Sequence, residues 1–235
     1  MRFSKSLIIL ALGVSLAACS DSDNNDVEVK PPVVVTPTSY EFTVTITNLT
    51  AAQPFSPVAL IAHTEGMLWQ IGNSASEALE RMAEGGDNSQ LLTVDFATHA
   101  QSAESPLPPG EQLTLTLTTE QLESLKISLA TMLVNTNDAF TGLNAIDVSS
   151  LAVNESLSRH SHAYDAGTET NSEAHGTIPG PADSGEGFNE SRDDINSVAM
   201  HPGVVSQDDG LRSSVLTNQH KFDNPVAQII ITRTQ

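Results

Sequence analysis

Tyr40-Glu41-Phe42-Thr43-Val44-Thr45-Ile46-Thr47 alternates an apolar or aromatic side chain with a polar one at every step. Successive side chains of an extended chain point to opposite faces, so a period of two in β-branched and aromatic residues is a half-buried strand. Leu113, Leu115 and Leu117 alternate with threonines in the same way. Val58 to Ala62, Ile127 to Val134, Leu143 to Val148 and Val226 to Thr232 are further strand candidates, each bounded by Pro, Gly, Asn or Asp. Short strands without helices between most of them predict an all-β antiparallel sandwich.

One helix stands out. Ser74 with Glu77 fits a capping box, Leu79, Met82 and Ala83 have helical spacing, and Gly85-Gly86 ends the segment. His160 to Asn196 is polar, acidic and glycine-rich, with almost nothing to bury. A loop of that length inside a compact domain is usually functional or disordered.

The N-terminus reads differently. Arg2 and Lys5 precede an apolar run from Leu7 to Ala18, and Leu16-Ala17-Ala18-Cys19 has the form of a lipobox, followed at once by the polar Ser20 to Asp26. Cys19 is the only cysteine in 235 residues, which identifies it as the lipidation site and rules out an internal disulfide. Residues 1–18 read as a lipoprotein signal peptide, 19–39 as a lipidated cysteine with a Pro/Asn/Asp-rich tether, and 40–235 as the folded domain. Several acyl chains on one cysteine anchor stably, where one alone does not. The chain is thus expected in the bacterial envelope, and Ser20 after the cysteine favours the outer membrane.

With 10 Lys and Arg against 29 Asp and Glu, the formal net charge is −19. Loss of Arg2 and Lys5 with the signal peptide makes it −21. A chain this acidic is repelled by phosphate backbones, so nucleic acid is excluded as a partner, whereas divalent cations and basic partners are attracted.

Met132 to Asp147 reads MLVNTNDAFTGLNAID, followed by YDAGTETN (Tyr164–Asn171), IPGP (Ile178–Pro181), HPGVVSQDDGL (His201–Leu211) and FDNPVAQIIITR (Phe222–Arg233). In this order the segments resemble the spondin domain of bacterial envelope proteins, the module that also forms the N-terminal region of F-spondin and mindin. The resemblance spans nearly all of Tyr40 to Gln235. It implies a C2-like sandwich of about eight strands with calcium bound among loops at one end, and adhesion rather than catalysis. It also implies that Asp138, Asp165 and Glu169 are the metal ligands; Asn137 and Asn171, beside them in the sequence, are candidate supporting ligands. Glu169 stands where animal members usually have aspartate, and the thrombospondin-type repeats and cysteines of those members are missing here. Calcium takes several hard oxygen ligands from loops that can wrap it, which suits these residue types.

Two other readings compete. His160, His162, Asp165 and His175 are a possible transition-metal or metal-dependent hydrolase set, although their spacing matches no metalloenzyme motif. A carbohydrate-binding module would need exposed aromatic platforms, and Trp69, Tyr40 and Tyr164 are the only Trp and Tyr. Trp69, between Met67-Leu68 and Ile71, reads as a packing residue, and His201 before Pro202-Gly203 as a turn former. No Gly-x-Ser-x-Gly and no phosphate-cradling glycine loop occurs, so no enzymatic activity is expected. The sequence leads to an envelope-anchored, calcium-stabilised binding or adhesion module whose partner is an envelope or extracellular protein or glycan.

Overall fold

The computed structural model describes residues 39–235. The expected signal peptide (1–18), Cys19 and the expected tether up to residue 38 lie outside the described residues. Pro37–Gln235 forms one compact unit.

Ten strands build two antiparallel sheets: β1 (Tyr40–Asn48), β2 (Ala59–His63), β3 (Ala97–Ser102), β4 (Gln112–Thr119), β5 (Lys126–Met132), β6 (Ala139–Asp147), β7 (Ser156–Ser161), β8 (Ala163–Asp165), β9 (Ala199–Met200) and β10 (Ala227–Arg233). One sheet has the order β4-β1-β10-β7 and the other β3-β2-β5-β6-β8-β9. The all-β sandwich anticipated from β1 is what the chain forms.

The alternation in β1 works as the sequence requires. Phe42, Val44 and Ile46 are buried, while Thr43, Thr45 and Thr47 stay partly exposed. The threonine face is tied across strands by Thr45 Oγ1 to Thr114 Oγ1 at 2.8 Å. Leu117, Ile229 and Ile231 of the same sheet meet Leu60, Ala62, Ile127 and Leu129 of the other in the main core.

The second sheet is covered on both faces, so β2 reads as an apolar run from Ala59 to Ala62 closed by His63, with all five residues buried. Its outer face packs Ile61, Ala130, Met132 and Phe140 against Leu79, Met82 and Ala83 of α1 (Glu77–Gly85). Trp69 belongs to this layer: its ring lies edge-on to Phe140 at 5.1 Å and beside Tyr164 at 5.4 Å.

Several expectations need correction. The helix cap is Ser76, not Ser74. Ser76 is extended (φ −70°, ψ 157°) and its side chain accepts from the Leu79 N–H. The Ser74 hydroxyl instead donates to the Asn196 carbonyl at 3.0 Å, and Glu77, now the first helical residue, pairs with Arg81. Gly86, at φ 70°, does close the helix. Strand β6 begins at Ala139, ahead of the expected Leu143, because its first residues pair with β8 as well as β5. The segment from His160 to Asn196 is not empty of core: it carries the end of β7, all of β8, and the buried Ala163, Ala166 and Ile178. Asx and serine turns brace the rest of it, for example Ser191 N–H on Asn189 Oδ1 at 2.9 Å.

Candidate metal centre

The site forms where β6 starts and β8 ends. Ala139 faces Asp165 in the antiparallel β6–β8 register, so Asp138 is brought beside Asp165. Chain reversal after Asp165 depends on Gly167 in two ways. Its φ is +70°, and a Cβ there would lie 2.4 Å from the Ser197 carbonyl oxygen. The turn aims two backbone donors at Asp138: Oδ2 accepts from Thr168 N–H at 2.9 Å and from Glu169 N–H at 3.1 Å. Asp165 uses both oxygens, Oδ1 for Gly167 N–H at 2.7 Å and Oδ2 for the Asn171 amide at 2.6 Å. Glu169 Oε1 accepts from the Asn137 amide at 3.0 Å.

The three residues expected at the site are therefore neighbours, linked by Coulombic repulsion between Asp138 and Asp165 and between Asp138 and Glu169. Asn137 and Asn171, expected in support of the ligands, brace the carboxylates. Their amide nitrogens hold carboxylates, and their oxygens are taken by Glu173 N–H and by His201 Nε2. His201 is fixed in turn: the Gly203 N–H donates to its Nδ1 at 3.0 Å, which leaves the proton on Nε2 to donate to Asn171. It forms the expected turn and also orients the amide that braces Asp165.

A fourth acid, missed by the sequence reading, completes the group. Glu84, in the last turn of α1, is 1 % exposed and acts on Glu169 as a like charge. Its Oε2 accepts from Asn189 N–H at 2.9 Å. Glu80 and Glu84 sit four residues apart beside the apolar stripe of α1, a signal present in the sequence. What the sequence lacked was the identity of the loop that buries them. Glu80 is neutralised by Arg192, whose Nε lies 2.9 Å from Oε1. Glu84, Asp138, Asp165 and Glu169 are in no ion pair among the described residues.

Three buried oxygens here have no hydrogen-bond partner: Glu84 Oε1, Asp138 Oδ1 and Glu169 Oε2. They are the only such side-chain atoms among the described residues. Leaving a buried polar atom unpaired costs about 1–3 kcal/mol, more if it is charged. As the side chains stand, no group of three or more His, Cys, Asp or Glu among the described residues is placed to hold a metal ion. An ion would have to draw these side chains inward, which the two flexible glutamates permit.

Burial pushes all four carboxyl groups above the usual carboxylate range. Glu169 rises to about 8, chiefly through burial, with Glu84, Asp138 and Glu186 adding repulsion against the pull of the Asn137 amide. Asp138 is raised by burial and then by Asp165; Asp165 and Glu84 are raised by burial. Burial also keeps His201 neutral, lowering it to about 4. The proton-bound acids contribute stability that is fully present below their unfolded values and is lost as pH rises through the folded ones, ending near 8 for Glu169. In chelator, the melting midpoint of Pro37–Gln235 should therefore fall between pH 6.5 and 8.5. Each proton retained only by the folded state contributes about 1.4 kcal/mol per pH unit to that fall. His201 acts in a lower window, between its folded value and 6.5, where its neutrality costs stability as pH falls. A midpoint that stays flat or rises over pH 6.5–8.5 would contradict the raised carboxyls.

The competing histidine set is not assembled. His160 and His162 are exposed, and His175, also exposed, pairs with Asp183 while Asp165 is held by Gly167 and Asn171. A cleft of about 430 Å³ is lined by Pro54, Pro57, Gly85, Met132, Val134 and Pro179 among others, and by none of the four acids. No helix among the described residues is long and apolar enough to cross a membrane. No protein-family model matches the sequence, and no curated protein is significantly similar to it.

Proposed function

We propose that this chain is a lipid-tethered, calcium-stabilised binding or adhesion module of the spondin kind, without catalytic activity, held in the bacterial envelope through Cys19. The observation that carries the reading is the set of unpartnered carboxylate oxygens buried beside Asp165-Ala166-Gly167-Thr168-Glu169 at the loop end of a β-sandwich. Like charges converging out of water need either protons or a cation. A shared proton can pair two of the three vacant oxygens but not all three. A dication would neutralise charge and satisfy all the vacant oxygens together.

Calcium suits the donors best. They are hard carboxylate oxygens from the start of one strand, the end of another and the turn after it, a mixed set that fits calcium's tolerant geometry better than the strict octahedron of magnesium. The one nearby imidazole, His201, has both nitrogens committed to Gly203 and Asn171, which disfavours zinc or copper. Asp138, Asp165 and Glu169 would hold the ion, which would supply fixed positive charge and keep the loops in place.

Binding is favoured over hydrolysis because the hydroxyl nearest the histidine pair, Ser161 Oγ, is spent on Gly142 and Thr141. A glycan platform is disfavoured by Trp69, which is 8 % exposed and packed on Phe140. The module would then display its calcium-braced acidic loops to an envelope or extracellular protein or glycan.

A fractionation experiment tests both halves. The full chain should partition with membranes and the Cys19→Ser chain should not. Pro37–Gln235 should be retained by isolated envelopes in calcium, and released by chelator or by Asp138→Asn. Retention that ignores both chelator and Asp138→Asn would overturn the calcium half, and a membrane-bound Cys19→Ser chain would overturn the anchor.

A further inference from the structure

We propose that Glu84 is a ligand of the same cation, so that calcium fastens α1 and the segment 186–193 to the sandwich; this rests on the calcium reading above. Of the four acids, Asp165 has both oxygens hydrogen-bonded, whereas Glu84, Asp138 and Glu169 each keep one oxygen free and buried. The vacant coordination points therefore come from a helix end, the start of β6 and the turn after β8. A cation seated among them joins three elements distant in sequence.

Glu84 has its own need for positive charge. It lies in the last turn of α1, where the helix dipole presents its negative end and no basic residue occurs. The guanidinium that could reach it, Arg192, is committed to Glu80 (2.9 Å), to Asn196 Oδ1 (2.7 Å) and to the Ala75 carbonyl (2.9 Å). The Thr168 hydroxyl is shared between the two acids: it lies near enough to Glu84 to ease that carboxyl's pKa downward, while its aligned hydrogen bond goes to Asp138 Oδ2 at 3.3 Å and leaves Glu84 Oε1 without one. Glu84 is thus adjacent to the site through Thr168 and Glu169 without any partner for Oε1.

The second half of the inference follows from what Glu84 carries with it. Its Oε2 holds Asn189 N–H, the Arg81 guanidinium stacks 3.9 Å above the Phe188 ring, and Arg192 clamps Glu80. A cation pulling on Oε1 restrains Glu84, and with it the loop laid over α1. Without the ion, Glu84 and Glu169 repel each other and push the helix end away from the turn. The covering loop would then become a calcium-dependent surface.

The test uses Pro37–Gln235, a compact unit with its own cores. Calcium affinity is measured by competition with a chromogenic chelator for the unsubstituted protein and for Glu84→Gln, Glu84→Asp and Asp138→Asn. Amide hydrogen exchange over 186–193 is followed with and without calcium. Substitutions outside the first ligand shell already weaken metal binding by about tenfold or more, so Glu84→Gln should lose at least that. Its calcium-free midpoint should not fall, since a buried charge is removed. Glu84→Asp, which keeps the charge but shortens the reach, should also weaken binding, and it decides the matter if Glu84→Gln does not fold. Calcium should slow exchange of 186–193 in the unsubstituted protein and leave it unchanged in Glu84→Gln. Affinity within twofold for both Glu84 variants, together with loss in Asp138→Asn, would reject Glu84 as a ligand and leave the calcium site standing. No calcium binding by the unsubstituted protein would reject both.

Discussion

Adding calcium to chelator-stripped Pro37–Gln235 at pH 8 is expected to raise its melting midpoint by about 5–10 °C once the ion exceeds its dissociation constant a hundredfold. A ligand that binds only the native state at that excess stabilises by about 2.7 kcal/mol, and a domain of this size gains about 2–4 °C per kcal/mol. The pH matters, because at 8 the carboxyls raised by burial are losing their protons and the repulsion among them is near its largest. Asp138→Asn should abolish the response. The asparagine carbonyl can still accept from Thr168 and Glu169 N–H, so the turn survives, but an amide replaces the free Oδ1. Equal responses from Asp138→Asn and the unsubstituted protein would show that calcium acts elsewhere.

The second large effect concerns the scaffold that positions the site. Gly142→Ala should destabilise the domain by about 3 kcal/mol or more, seen as a fall of several degrees in the midpoint or as insoluble protein. A Cβ on Gly142 would sit 1.9 Å from the Leu129 carbonyl oxygen and 3.1 Å from the Ala130 Cα, both backbone atoms of β5. No side-chain rotation relieves such a contact, so β5 and β6 would have to separate. Gly142 also receives the Ser161 hydroxyl, to which it donates its N–H at 3.0 Å, at the corner where the chain passes from β7 in one sheet to β8 in the other. Separation there would displace Asp138 and Asp165 together, so the variant should lose its calcium response as well as its stability. A soluble Gly142→Ala protein melting within 1 °C or so of the unsubstituted one would contradict the β5–β6 packing.

Much of this architecture can be read in the chain itself, for reasons that also explain the exceptions. Strand β1 declares itself because one face is buried and the other wet, which imprints the pleat on the sequence as Phe42, Val44 and Ile46 between threonines. Strand β3, Ala-Thr-His-Ala-Gln-Ser, lies at a sheet edge with no residue fully buried and carries no such imprint. Strands β8 and β9, of three and two residues, exist only because β6 and β8 offer them partners. The Ser74–Glu77 spacing pointed to the wrong cap because the extended backbone that a cap requires falls at Ser76, next to the helix.

The acids show the same division. Asp165 and Glu169 flank a glycine that must turn, so their convergence is local, and the β6–β8 register adds Asp138. Glu84 is brought in by the packing of α1 on the sheet, which the apolar stripe of the helix records, and by that of residues 186–193 on α1, which leaves no periodic trace. Nor could sequence show that the asparagines beside the acids brace carboxylates, since that depends on which way each amide points.

Isothermal titration of calcium into metal-free Pro37–Gln235 at pH 8 tests the central claim, that the buried carboxylates share a dication, most directly. The account predicts saturable binding of one ion per chain with release of protons, lost in Asp138→Asn. A flat titration up to millimolar calcium would contradict it.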